Sequence, residues 1–241
     1  MFRKKIADKL NSKDEFRFRG HEVKRIEAFS DAVFAFAVTL LIVSLEVPKN
    51  FEELMFTMSG FFAFGASFTI LMFIWYEQNI FFRRYGLDDL KTVVLNCILI
   101  FLVLFYVYPL KFLFTLMFGN QSYDNGHVPL TITDADDVKL MVIYGMGFIS
   151  IYLLFSFMYL HALKKAPELE LTAPEIFDTK TKLYKNFIFI AIGLVAIIVS
   201  LLISPARSGL GGLVYIGIGP ALSVYFSLRV KRKKLLFGKL P

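Results

Sequence analysis

Eight side chains that can carry charge or form hydrogen bonds stand at the margins of, or inside, otherwise apolar stretches of this chain. Arg25, Ser30 and Asp31 sit at the mouth of an apolar run, Ala32 to Val47, and Thr39 lies within it. Trp75, Glu77 and Gln78 fall in a second run, and Asn96 in a third. Charge in or near a bilayer is expensive and persists where it is paired or hydrated. Asp31 therefore needs donors, and Arg25, Trp75, Gln78 and Asn96 are the candidates. Ser30 and Asp31, being adjacent, point about 100° apart on a helix and serve different neighbours. For Trp75 the alternative is an interfacial belt residue, and for Asn96 it is a hydrogen bond between helices.

The residue types that break or make covalent bonds are missing in the required spacing. His21, His127 and His161 are widely separated, with no HExxH pattern, and there is no Walker A, GxGxxG or GxSxG sequence. Cys97 is alone, which excludes an internal disulfide and a CxxC metal site. The chain is read as a non-enzyme that needs no cofactor. What remains is ion handling. A hydroxyl such as Thr39 can replace part of an ion's hydration shell, and a membrane carboxylate such as Glu77 can carry a proton or meet water or Arg83.

The elements that must position these groups are membrane helices. Of 241 residues 56% are hydrophobic, 28 are Phe and only 20% are charged, with the apolar residues bunched into long runs. These predict an all-α membrane protein with six spans, near 27–47, 54–82, 90–118, 139–163, 186–204 and 210–229. Gly145 and Gly147 in the fourth span, and Gly211, Gly212, Gly217 and Gly219 in the sixth, allow close helix approach. Pro220 and Pro109 predict kinks. The segment 164–185 reads as a linker with a short surface helix after Thr172. Residues 1–26 form a basic segment, 27–229 the six-helix domain, and 230–241 a basic tail. The charged first 28 residues, and the lack of a small-residue cleavage site after the first run, predict no cleavable signal peptide.

Lys and Arg set the orientation. Nine lie before residue 29, three in 83–91, five in 164–185 and six in 229–241, so 23 of the 27 fall on one side. The positive-inside rule places both termini in the cytoplasm of a cell whose inner membrane holds the chain. The same distribution accounts for the net charge of +7 without nucleic acid as a partner. The opposite loop, 119–138, carries Asp124, Asp134, Asp136 and Asp137 with no Lys or Arg, and reads either as a solvated loop or as an acidic vestibule.

Phe36, Thr39, Leu40 and Val43 fall at i, i+3, i+4 and i+7, on one face of the first helix. Repeated around an axis they would form apolar rings and one hydroxyl ring. In a single chain the same face is ordinary packing surface.

The pattern Arg25-x-x-x-Phe29-Ser30-Asp31, with Trp75, Asn96 and Pro109, resembles the transmembrane protein 175 family of potassium-permeable channels. The resemblance implies a passive potassium-permeable channel, with K+ as permeant ion. It implies a homotetramer in membrane lipid whose first helix lines a central pore without a re-entrant selectivity filter. The constriction places match Phe36, Leu40 and Val43, and the hydroxyl place linked to selectivity matches Thr39. Phe36 stands where the family usually has Ile or Leu, so the ring either tightens the gate or turns aside. Gln78 stands where a His commonly follows the Trp, and an amide does not titrate near neutral pH. The competing expectation is a proton-coupled or cation secondary transporter using Asp31 and Glu77.

Overall fold

The computed structural model describes residues 16–43, 60–118, 134–203 and 205–238, with residues 50, 51, 54, 55 and 58. The described residues are helical throughout their long elements: α1 (Arg25–Val43), α2 (Phe61–Tyr85), α3 (Leu90–Phe118), α4 (Asp134–Lys164), α5 (Ala173–Leu202), a 3₁₀ segment (Pro205–Gly217) and α6 (Ile218–Phe237). In hydrocarbon a helix satisfies every backbone group within one segment, which is why these apolar runs take this form. Among the described residues four stretches, Leu90–Leu116, Asp136–Lys164, Ala173–Leu202 and Gly211–Phe237, are long and apolar enough to cross a membrane.

The helices form two linked groups. α1, α2 and α3 pack mutually, around Phe34, Ala37, Leu41, Leu71, Ile100, Val103 and Val107. α4 and α5 pack most extensively and hold the 3₁₀ segment between them and α6. A second cluster joins the groups through Phe81, Phe82 and Tyr85 of α2, Leu99 of α3, Phe155 and Tyr159 of α4, and Leu183 of α5. α6 buries no residue, as expected of a helix whose sides meet lipid or another chain.

Three boundaries differ from the sequence reading. First, the stretch read as a linker ends in the start of α5 itself. Pro174 occupies the first turn, and the Glu175 carboxylate accepts the Thr172 backbone N–H at 2.9 Å. The predicted short helix and the fifth span are one 30-residue rod. Second, Pro220 does not kink the sixth span. It lies in the first turn of α6, where its missing N–H costs nothing, and the break is the 3₁₀-to-α junction at Gly217. Gly211 packs closely against Ser200 and the Ala196 carbonyl of α5, whereas Gly212, Gly217 and Gly219 have open space beside them within this chain. Third, the basic tail read from residue 230 is helical to Phe237.

Gly145 and Gly147 do serve close contact. A Cβ on Gly145 would lie 2.4 Å from the Ile197 side chain, and one on Gly147 would strike the ring of Tyr106. α3 runs through Pro109, whose carbonyl accepts the Tyr144 hydroxyl at 2.8 Å.

Residues 16–24, just before α1, are held against the helices. Phe16 is buried, and Arg19 reaches Glu175 at 2.8 Å and the Leu169 carbonyl at 2.7 Å. Gly20 passes so near α2 that a Cβ would come within 2.6 Å of the Phe82 carbonyl oxygen. Opposite it, Gly86 ends α2 at φ 57, a left-handed turn that suits glycine. Residues 1–15, Lys49, His127 and the loop 119–133 lie outside the described residues.

Candidate functional site

The polar residues of the first three spans assemble into a seam. Ser30 and Asp31 leave α1 in neighbouring directions, and each finds a different helix. The Asn96 amide of α3 donates to the Ser30 hydroxyl at 2.7 Å, and that hydroxyl donates to the Ile26 carbonyl at 2.7 Å. Gln78 of α2 donates to the Asn96 carbonyl oxygen at 2.6 Å. Ser30, Gln78 and Asn96 are all buried, so this is a closed hydrogen-bonded chain across three helices in an apolar setting.

Beside it, the Trp75 indole N–H donates to Asp31 at 2.7 Å. Trp75 and Gln78 are three residues apart and share a face of α2, so that face holds Asp31 directly and reaches Ser30 through Asn96. Asp31 itself is exposed at the edge of the seam rather than buried. Arg25 is not its partner. Six residues apart on a helix, the two point to widely different sides, and Arg25 lines an open cleft near Lys24 and Asp88 instead. Phe29, within the same motif, is exposed.

Above the seam, α1 has two unlike sides. Ser30, Phe34, Ala37 and Leu41 follow the inward stripe. Phe29, Ala32, Phe36 and Thr39 follow the opposite stripe and are uncovered, with Phe36 56% exposed. The Thr39 hydroxyl donates to the Phe36 carbonyl at 2.7 Å, leaving its lone pairs outward. Leu40 lies at the flank, half-buried against the α1–α3 cluster. The Val43 side chain lies outside the described residues.

Glu77 faces away from this site. It meets Lys185 at 2.8 Å and Lys182 at 3.5 Å, both on α5. The sequence reading assigned these lysines to a loop and so missed the cluster. Their spacing of three, just before an apolar run, was the available sign that they share a helix face. At the turn between α2 and α3, Asp89 accepts from Thr92 at 2.8 Å and meets the His161 ring of α4 at 2.8 Å. Partial burial opposes ionisation of Asp89, but the hydrogen bonds from Thr92 and His161 outweigh it and hold its carboxyl below the usual range.

Residues 25–109, which run from the start of α1 through the seam to Pro109, match the family model described as endosomal/lysosomal potassium channel TMEM175. A potassium channel of Marivirga tractuosa is 38% identical over 234 residues, 92% of this chain and 93% of that protein. The chain belongs to the TMEM175 family. A crystal structure of a variant of the potassium channel MtTMEM175, in complex with a nanobody–MBP fusion protein, superposes with a TM-score of 0.78 at 37% identity. It covers 90% of this chain and 97% of that one. A Chamaesiphon minutus homologue of the lysosomal potassium-selective channel TMEM175 shares the fold at TM-score 0.53 and 23% identity, over 85% of this chain and 96% of that one. The chain is thus an all-helical, multi-pass membrane protein of the TMEM175 family, and the seam falls wholly within the segment that the family model matches.

Proposed function

We propose that this protein is a passive, potassium-permeable cation channel. Copies of the chain, four in our reading, surround a pore lined by α1. The observation that carries this is the two-sidedness of α1. One stripe is packed into its own chain, while the stripe holding Phe36 and Thr39 is left uncovered. One helix cannot enclose a path, so the uncovered stripe calls for further copies. The similarity to the Marivirga tractuosa potassium channel over nearly the whole chain supports potassium as the permeant ion.

In this reading Phe36, Leu40 and Val43 form an apolar constriction that blocks ions by dewetting, and Thr39 supplies the hydroxyl that favours potassium. No backbone carbonyl filter is needed, so selectivity is modest. K+ is the cargo, and no cofactor takes part. The seam of Ser30, Asp31, Trp75, Gln78 and Asn96 sets the angle of α1 without contacting the ion. The basic asymmetry supports an inner-membrane location with both termini cytoplasmic. A carrier using Asp31 and Glu77 is disfavoured, because Glu77 is held between two lysines and Asp31 by Trp75.

The test is a planar-bilayer recording of purified protein under bi-ionic potassium and sodium gradients. Unitary current steps with a reversal potential favouring potassium are expected. Flux without unitary steps, at carrier rates, would refute the channel reading.

A further inference from the structure

Away from the seam, the basic ends of α2, α5 and α6 border an open cavity of about 410 Å³. That lies within the roughly 300–1,000 Å³ of small-ligand clefts. Arg84 of α2, Lys182 of α5, and Arg229, Lys233 and Lys234 of α6 line it, against one lining carboxylate, Asp178. Some of this charge is already matched: Lys233 pairs with Asp178 at 2.8 Å, and Lys182 leans toward Glu77 at 3.5 Å.

The rest is held in place and unmatched. Arg229 donates to the Thr181 hydroxyl at 2.9 Å and lies 4.1 Å over the Phe177 ring. Its donors are thereby pre-oriented at the cavity wall. The Arg84 Nε is buried and has no hydrogen-bond partner among the described residues. Lys234 has no ion pair there either. A buried donor without an acceptor is costly, and excess cationic charge at a membrane boundary attracts anions.

The other lining residues, Phe177, Phe226 and Val230, are apolar. Of these, Val230 is itself exposed, so the apolar side of the cavity opens outward on α6. The site thus joins a cationic cup to an apolar wall that opens outward, which a free anion does not need.

We propose that this cavity binds the phosphate group of an anionic phospholipid, with Arg84, Arg229 and Lys234 contacting the phosphate oxygens and an acyl chain lying along α6. Free inorganic phosphate shares the headgroup chemistry but not the apolar part.

The test uses the full chain in detergent. Retention of phosphatidylglycerol is compared with that of phosphatidylcholine by native mass spectrometry, with inorganic phosphate added as competitor. Wild type is expected to retain phosphatidylglycerol preferentially. Lys234→Gln, an exposed change that leaves the fold intact, is expected to weaken retention about fivefold, the scale of one basic residue near an anionic surface. Arg229→Gln is expected to weaken it at least as much. Lys91→Gln, an exposed charge at the start of α3, is expected to leave it unchanged. Failure of inorganic phosphate to compete confirms the lipid as the source, while full competition reassigns the cup to soluble phosphate. Equal retention of the two lipids, or an equal effect of Lys91→Gln, overturns the site.

Discussion

Asn96 of α3 donates to the hydroxyl of Ser30 on α1 across 2.7 Å, and both residues are buried. Because Gln78 donates to the same Asn96 side chain, one amide ties α1 to α2 and α3. Asn96→Ala removes both bonds and strands the Gln78 amide in an apolar setting. The expected cost is roughly 1–3 kcal/mol, read as a lower unfolding midpoint in detergent. Asn96→Ala with an unchanged midpoint would show that the seam does not hold the three helices.

The Trp75–Asp31 bond lies at the exposed edge of the seam, so its removal is a milder change. Trp75→Phe keeps the ring and deletes the N–H. About 1 kcal/mol of destabilisation is expected, with potassium-over-sodium preference unaltered. A shifted reversal potential with unchanged stability would move Asp31 from support to the ion path.

Glu77 tests the carrier reading. Glu77→Gln leaves Lys185, a buried cation, without its closest counter-charge. Breaking such a pair costs roughly 3–5 kcal/mol. Pairing Glu77→Gln with Lys185→Met should recover most of the loss, since the more deeply buried cation is then gone and only the longer Lys182 contact is missing. Thermal unfolding of the two single variants and the double variant closes the cycle. A stable Glu77→Gln protein that has lost only proton coupling would revive the carrier.

Asp89 gives a pH dependence whose sign follows from its lowered carboxyl pKa. Its contribution to stability is present above the unfolded-state value of about 3.9 and is lost as pH falls through the lower folded value. Wild type should therefore lose stability below about pH 4 more steeply than Asp89→Asn, in which that contribution is already absent. Parallel acid profiles for the two proteins would remove the Asp89–His161 contact from the stability of the α3–α4 junction.

The helices were legible because a lipid crossing demands an apolar run, and the seam because a polar side chain inside such a run demands a partner. Which partner was not legible. Arg25 and Asp31 look like a pair in sequence, yet the helix turns them apart, and the indole of Trp75 takes the role. The Glu77–Lys185 cluster was hidden because charge marks the end of a span in sequence, whereas α5 carries its lysines inward against α2. The 3₁₀ segment before α6 likewise left no trace in apolar periodicity, since Gly211, Gly212 and Gly217 permit several conformations at similar cost.

The central claim is that the uncovered stripe of α1 faces the ion path, and thiol accessibility tests it most directly. With the exposed Cys97 replaced by Ser, Thr39→Cys is recorded in planar bilayers before and after a membrane-impermeant cationic thiol reagent. The account predicts that modification abolishes most of the potassium current, because a bulky cation at a narrow constriction obstructs every later ion. A potassium current that persists unchanged after complete modification, confirmed by mass, would contradict it.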